Sequence, residues 1–213
     1  MLTTRTHYSQ AERLSDAVVH IAGLVAVVGA VPVLIVLAAM LRGDAPSVVG
    51  ASVYGATLVL MILCSALYNM IARPDWGWLL RRLDHSAIYL KIAGTYTPFA
   101  LISGQGWLLT GVLWLAAVAG VVMKVISPAR FRLAAMALYL GMGWAGFLAG
   151  GDLIAALPTA VVVLMVVGGL LYTAGVGFYL WERLPFHYTI WHVFVLAASM
   201  VFYSAVVVQV VIG

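Results

Sequence analysis

The sequence predicts an all-α integral membrane protein, a bundle of seven transmembrane helices with its N-terminus in the cytoplasm and its C-terminus outside. Three observations carry this. Hydrophobic residues make up 65% of the 213-residue chain and charged residues only 8%, where a soluble domain carries roughly 25% charged residues. Seven apolar runs approach the ~20 residues that cross a bilayer as helix: residues 17–41, 47–71, 84–103, 106–127, 133–151, 155–181 and 188–212. Lys and Arg divide unevenly between alternate connections. Arg5, Arg13, Arg73, Arg81, Arg82, Lys124, Arg130, Arg132 and Arg183 fall on one side and Arg42 alone on the other. Positive residues stay cytoplasmic, so the crowded side is inside. If the chain is bacterial, the membrane is the inner one.

The same placement disposes of a nucleic-acid partner. A net charge of +4 invites one, but the basic residues sit in short loops between apolar runs and read as topology signals. Membrane lipids are the expected partners. The single cysteine, Cys64, lies inside an apolar run and reads as a small buried hydrophobe. Met1 to Ser15 is polar and the first apolar run is too long for a signal sequence, so no signal peptide is expected.

The connections are short, so neighbouring helices are antiparallel and residues 1–213 form one domain. Gly104-Gln105-Gly106 predicts a tight turn, Ser127-Pro128 closes the fourth helix and Leu184-Pro185 ends the sixth. Pro32, Pro98 and Pro158 fall within helices or near their ends, where a bundle tolerates them if neighbours satisfy the freed carbonyls. Trp76, Trp78, Trp107, Trp181 and Trp191 lie near helix ends, as an interfacial belt requires.

The polar residues gather at one depth. Glu12, Asp16 and His20 run i, i+4, i+8 into the first helix, with helix capping the simplest role for the two acids. Ser65 and Asn69 are i, i+4 near the end of the second. Asp84 and His85 open the third, and His187, Tyr188 and His192 open the seventh. His187, beside Pro185, is expected in solvent. Asn69 and His192 lie about a turn inside the boundary, where an unpartnered polar group is costly. Lys91 alone lies deeper. It follows Asp84 by seven residues, which brings the two within about 20° around a helix and ~10.5 Å along it. Intramembrane charges face a bundle interior and often mark function.

These residues resemble a known family. Glu12…Asp16…His20, Ser65-Ala66-Leu67-Tyr68-Asn69, Leu83-Asp84-His85-Ser86-Ala87-Ile88-Tyr89 with Ala93-Gly94-Thr95-Tyr96-Thr97-Pro98-Phe99, and Leu184-Pro185-Phe186 with Ile190-Trp191-His192-Val193-Phe194-Val195-Leu196 are similar to the hemolysin III group, bacterial members of the progestin and adipoQ receptor superfamily. The resemblance covers nearly the whole chain. It implies a seven-helix bundle with its N-terminus inside and a role in membrane-lipid or membrane-energetics homeostasis. In the adiponectin receptors of that superfamily it implies a zinc site near the cytoplasmic face, with one histidine from the second helix, two from the seventh and an aspartate on the third. Those relatives are linked to ceramide hydrolysis.

The chain departs from that pattern at the ligands. Asn69 and Tyr188 occupy two of the three histidine positions, while His192 and Asp84 match theirs. His187 is one residue off, about 100° away around the helix. A catalytic zinc takes three protein ligands from Cys, His, Asp or Glu, so no cofactor is expected. Lys91 stands where the family block is apolar. The expected arrangement is a degenerate, zinc-free polar pocket of His20, Asn69, Asp84, Tyr188 and His192, with the Lys91 ammonium reaching back toward Asp84 in place of the cation. Catalytic residues are unassigned, with Ser65 and Asp84 as candidates by family position.

Two readings follow. One is a non-enzymatic, metal-free homologue that binds lipid. The other is a zinc-dependent lipid amide hydrolase with reassigned ligands drawn from His192, His20, His85 and Asp84. A retinal-type pigment is set aside, since those carry their lysine on the last helix and the seventh helix here has none. The charge asymmetry gives the first test: a reporter that works only in the cytoplasm, fused after Gly213, should stay inactive. Activity there would reverse the orientation.

Overall fold

The computed structural model describes residues 8–71, 74–126 and 132–213. Among them are eight helices and no strand: α1 (Gln10–Leu41), α2 (Ala45–Met70), α3 (Pro74–Ser103), α4 (Trp107–Ile126), α5 (Arg132–Ala149), α6 (Gly151–Ala156), α7 (Thr159–Leu180) and α8 (His187–Ile212). The long helices follow the predicted apolar runs in order. Five of them, α1, α2, α4, α7 and α8, are long and apolar enough by length and composition to cross a membrane. The apolar part of α5 is shorter. α3 carries Asp75, Arg81, Arg82, Asp84 and Lys91 along 30 residues, which lowers its hydropathy.

Several boundaries differ from the sequence reading, each for a local reason. α1 starts at Gln10 rather than 17 because Ser9 and Glu12 form a capping box. The Glu12 N–H donates to Ser9 Oγ (3.2 Å) and the Ser9 N–H donates to Glu12 Oε2 (2.8 Å). α3 starts at Pro74 rather than 84. A proline fits the first helical turn because that N–H has no helical partner, and Asp75 suits the positive end of the helix. Asp84 and His85 therefore lie about ten residues into α3, ~15 Å from its start, and do not open it. The run predicted as 155–181 is divided: α6 closes at Ala156 and α7 begins after Pro158, which has no N–H with which to continue a helix. The fifth helix ends at Ala149 instead of 151. The predicted stop at Ser127-Pro128, with Arg5, Arg73, Arg130 and the Arg132 side chain, lies outside the described residues.

The other connections match their chemistry. Gly104 and Gly106 take φ of 70° and 77° in the turn before α4, a left-handed conformation that glycine adopts without penalty. Asp44 caps α2, accepting from the Ser47 N–H at 2.8 Å and the Ser47 hydroxyl at 3.0 Å. These bonds hold its exposed carboxyl below the usual range.

α3 is the interior helix, in contact with α2, α4, α5, α6 and α8. Its second half is buried through Ala87, Tyr89, Lys91, Ala93, Thr95, Tyr96, Phe99 and Ala100. Tyrosine hydroxyls tie neighbours together through backbone carbonyls. Tyr89 donates to Ala135 (3.1 Å), Tyr96 to Gly143 (2.7 Å) and Tyr203 to Ala30 (2.8 Å). The start of α1 lies against the start of α8, where Tyr8 meets His187. The end of α8 lies against the α1–α2 turn, where Arg42 bonds the Gly213 carbonyl.

Gly50 brings α2 onto α3: a Cβ there would stand 2.8 Å from Pro98 Cα. The obstacle is backbone and cannot rotate aside. Gly50→Ala should therefore destabilise the protein by about 1–3 kcal/mol, read as a lower melting temperature in detergent. Gly111→Ala, where a Cβ meets nothing, is the control.

Candidate functional site

The buried face of α1 runs Glu12, Asp16, His20, Gly23, Val27, Val31, Leu34 and Ala38. This is the i, i+3/i+4 stripe of an amphipathic helix, except that its first three members are polar. Glu12 does more than cap. Its Oε1 accepts the Phe186 N–H at 2.9 Å and so fixes the turn into α8, where Phe186 holds a φ of 58°. A left-handed non-glycine residue costs about 1–2 kcal/mol; here a charge-assisted bond holds it.

Asp16 is not a cap. Its Oδ1 accepts from His192 Nδ1 at 2.6 Å, and its Oδ2 lies 3.5 Å from His20 Nδ1. His20 Nδ1 donates to the Asp16 carbonyl at 2.8 Å, and His20 Nε2 bonds Ser65 Oγ at 3.1 Å. The two imidazoles meet edge to face with centroids 4.4 Å apart. Asp16, His20 and His192 form the one group of three His, Cys, Asp or Glu found among the described residues whose ligand atoms all lie within 4.8 Å of one another. His85, a candidate ligand from the sequence, is not part of it. Its Nε2 is 4.0 Å from Asp84 and its ring faces Tyr68.

Ser65 connects α1, α2 and α3. Its hydroxyl meets His20 Nε2 and also hydrogen-bonds Asp84, while Asn69 Nδ2 approaches it at 3.5 Å. One hydroxyl proton thus has two acceptors to choose from. Asn69 mainly turns back on its own helix, donating to the Ser65 carbonyl at 2.9 Å. Tyr188 stands edge-on to His192, centroids 4.8 Å apart. Asn69 and Tyr188 thus bring a carboxamide and a phenol to the two positions where the resemblance expects imidazoles.

Lys91 does not do what the sequence suggested. Its Nζ points away from Asp84, toward the far end of the bundle. It donates to Thr95 Oγ1 at 2.7 Å and lies 4.4 Å from the Tyr54 ring centroid and 5.8 Å from that of Phe202. The stand-in for a metal cation is therefore wrong in this structure. The physical reason is distance against a nearer alternative. Bridging ~10.5 Å to Asp84 requires a fully extended lysine and a mediator, whereas Tyr54 and Thr95 are adjacent. A lysine charge at mid-membrane costs about 3 kcal/mol on insertion scales. A desolvated cation–π contact returns about 2 kcal/mol and a hydrogen bond about 1 kcal/mol.

One cavity of about 930 Å³ joins these groups, within the ~300–1,000 Å³ of ligand pockets. Asp16, His20, Ser65, Asn69, Asp84, Tyr188 and His192 line one end and Lys91 and Thr95 the other, with Met61, Ile62, Ile88, Ile92, Val195 and Leu196 also on its wall. Two further residues were assigned elsewhere by the sequence. Lys124, read as a loop marker, is buried and lines the cavity. It continues the α4 stripe Thr110, Leu113, Ala117, Gly120, a period that could have revealed it. His187, expected in solvent, is 2% exposed. The Phe186 turn folds it under Tyr8, whose hydroxyl bonds its Nε2 at 3.2 Å.

Since Lys91 and Asp84 do not touch, their substitutions should be independent. Lys91→Leu and Asp84→Asn should change unfolding stability additively, within about 0.5 kcal/mol. A double variant markedly more stable than the sum would restore the ion pair that the geometry denies.

Comparison with known proteins places the chain in a family. Residues 9–203 match the family described as haemolysin-III related. The chain is 39% identical over 198 residues to hemolysin-3 of Bacillus cereus, covering 92% of this chain and 90% of that protein. It is 38% identical over 198 residues to a hemolysin-3 homolog of Bacillus subtilis, covering 92% of each. It is 26% identical over 186 residues to the human monocyte to macrophage differentiation factor, covering 78% and 72%. That last likeness supports the wider relationship to the progestin and adipoQ receptor superfamily. With its apolar helices and a family match over most of its length, the chain is an integral membrane protein that belongs to the haemolysin-III-related family.

Proposed function

We propose that this protein holds one membrane amphiphile in its interior cavity and serves membrane-lipid and membrane-energetics homeostasis. The observation behind this is the cavity itself, about 930 Å³ with polar groups gathered at one end and aliphatic side chains along its wall. An amphiphile's head group meets Asp16, His20, Ser65, Asp84 and His192; its chain meets Met61, Ile88, Ile92 and Leu196. In this reading all seven long helices cross a bacterial inner membrane, the N-terminus is cytoplasmic and the polar end opens inward. Lipid extraction of the purified protein should return a bound amphiphile. Ile88→Trp, which fills the cavity, should release it, while Leu108→Trp on the outer surface (Leu108 is 83% exposed) should not. Equal recovery from all three proteins would mean surface lipid only.

A second reading, metal-assisted hydrolysis of a lipid amide, is favoured by one observation: Asp16, His20 and His192 lie together. The three-histidine set of the superfamily does not fit here, because Asn69 and Tyr188 fill two of its positions. An Asp-His-His set does fit zinc by donor type. When bound, such an ion would supply a water acidic enough to act near neutral pH. The chain's own residues do the rest. The hydrogen bond from His192 Nδ1 to Asp16 fixes the His192 ring. Ser65 links His20 to Asp84. Elemental analysis separates the readings. Equimolar zinc, lost in His20→Ala and kept in Asn69→Ala, supports the hydrolase; protein without zinc that still retains its amphiphile supports the binding reading.

A further inference from the structure

Lys91 is the feature that neither reading uses. It is 3% exposed and lines the far end of the cavity. Among the described residues no salt bridge reaches it. Its Nζ meets one oxygen, Thr95 Oγ1 at 2.7 Å, and that hydroxyl in turn donates to the Lys91 carbonyl at 2.7 Å. The rest of its surroundings include the aromatic faces of Tyr54 and Phe202.

This environment does not suit an anionic ligand. The π face of an aromatic ring is negative and repels a carboxylate or phosphate. The Tyr54 hydroxyl is turned to the Ser199 carbonyl at 3.3 Å. What the site offers is one primary amine beside two aromatic rings, a hydroxyl within proton-transfer distance and a cavity alongside. That is the setting in which lysine forms Schiff bases with carbonyl compounds.

We propose that Lys91 is a site of reversible imine formation with a long-chain aldehyde lying in the cavity. The Lys91 ammonium first gives its proton to water; the free amine then adds through its lone pair to the aldehyde carbon, and the carbonyl π electrons move to oxygen. The Thr95 hydroxyl passes a proton from nitrogen to that oxygen, giving a neutral carbinolamine. Loss of the hydroxyl with a second proton from nitrogen releases one water and leaves the C=N bond. Addition of water reverses each step. No oxidant or reductant is required. Protonated, the imine keeps its cation over Tyr54; neutral, it leaves no charge to bury. The proposal rests on the reading of the cavity as an amphiphile site.

The chain supplies its own comparison, because Lys91 and Lys124 are its only lysines. Purified protein in lipid nanodiscs is incubated with hexadecanal, reduced with cyanoborohydride, digested and analysed by mass spectrometry. Most of the adduct should sit on Lys91 and be lost in Lys91→Arg, which keeps the cation and cannot form the imine. Thr95→Val should slow trapping by roughly tenfold or more, and this rate decides the matter even if the arginine variant does not fold. Adduct spread equally over Lys124 and the N-terminal amine, or unchanged trapping in Thr95→Val, would overturn the proposal. Hexadecanol, which has no carbonyl, distinguishes the two levels. Binding of the alcohol without trapping of the aldehyde removes the imine and leaves the cavity reading, whereas failure of both removes both.

Discussion

The Asp16–His192 hydrogen bond, 2.6 Å long and nearly out of solvent, is the contact on which the polar end of the bundle depends. Asp16 comes from the second turn of α1 and His192 from the second turn of α8, so the bond joins the first and last helices of the chain. The same carboxylate reaches His20, and His20 reaches Ser65 on α2, which reaches Asp84 on α3. Four helices are thereby set in register through one network. In a medium with little water each of these groups must find a partner or remain an uncompensated charge, and removing one partner of a buried pair costs about 3–5 kcal/mol. Glu12 adds a second tie, holding the Phe186 turn so that α8 begins where His192 can face Asp16.

The interior then has two poles. Near the start of α1 lies a hydrogen-bonded network of carboxylates, imidazoles and hydroxyls. Deeper, Lys91 is held by aromatic π faces and one hydroxyl. A protein that needed only to satisfy Lys91 could have placed it beside Asp84. Cation and carboxylates instead line different parts of one cavity. α3 makes the separation possible, since both Asp84 and Lys91 ride on it and it is enclosed by α2, α4, α5, α6 and α8.

Much of this was legible in the residues. The helical class, the order of the long helices and the glycine turn before α4 follow from hydropathy, period and the antiparallel run of short connections, and His20, Ser65, Asn69, Asp84, Tyr188 and His192, which the sequence put at one depth, line one cavity. The helix starts were missed because hydropathy reports where a helix becomes apolar, while Ser9–Glu12 and Pro74–Asp75 decide where it begins. Asp16 was read as a cap because its partner lies 176 residues away, and no local pattern reports such a contact. Lys91 was misdirected because helical spacing places Cα atoms on a face but leaves a four-carbon side chain free to choose either pole. The choice was made by Tyr54, on another helix. Lys124 and His187 were misplaced as loop residues, although the α4 stripe already put Lys124 on the buried face.

A double-mutant cycle on Asp16 and His192 tests this network most directly. Asp16→Asn, His192→Gln and the double variant would be compared with the unaltered protein by unfolding in detergent. If the pair joins α1 to α8 as described, the two losses overlap, and the coupling free energy should fall in the ~0.5–3 kcal/mol range of contacting residues. Losses that simply add would show that the two side chains act independently, and the network would not be what sets the four helices in register.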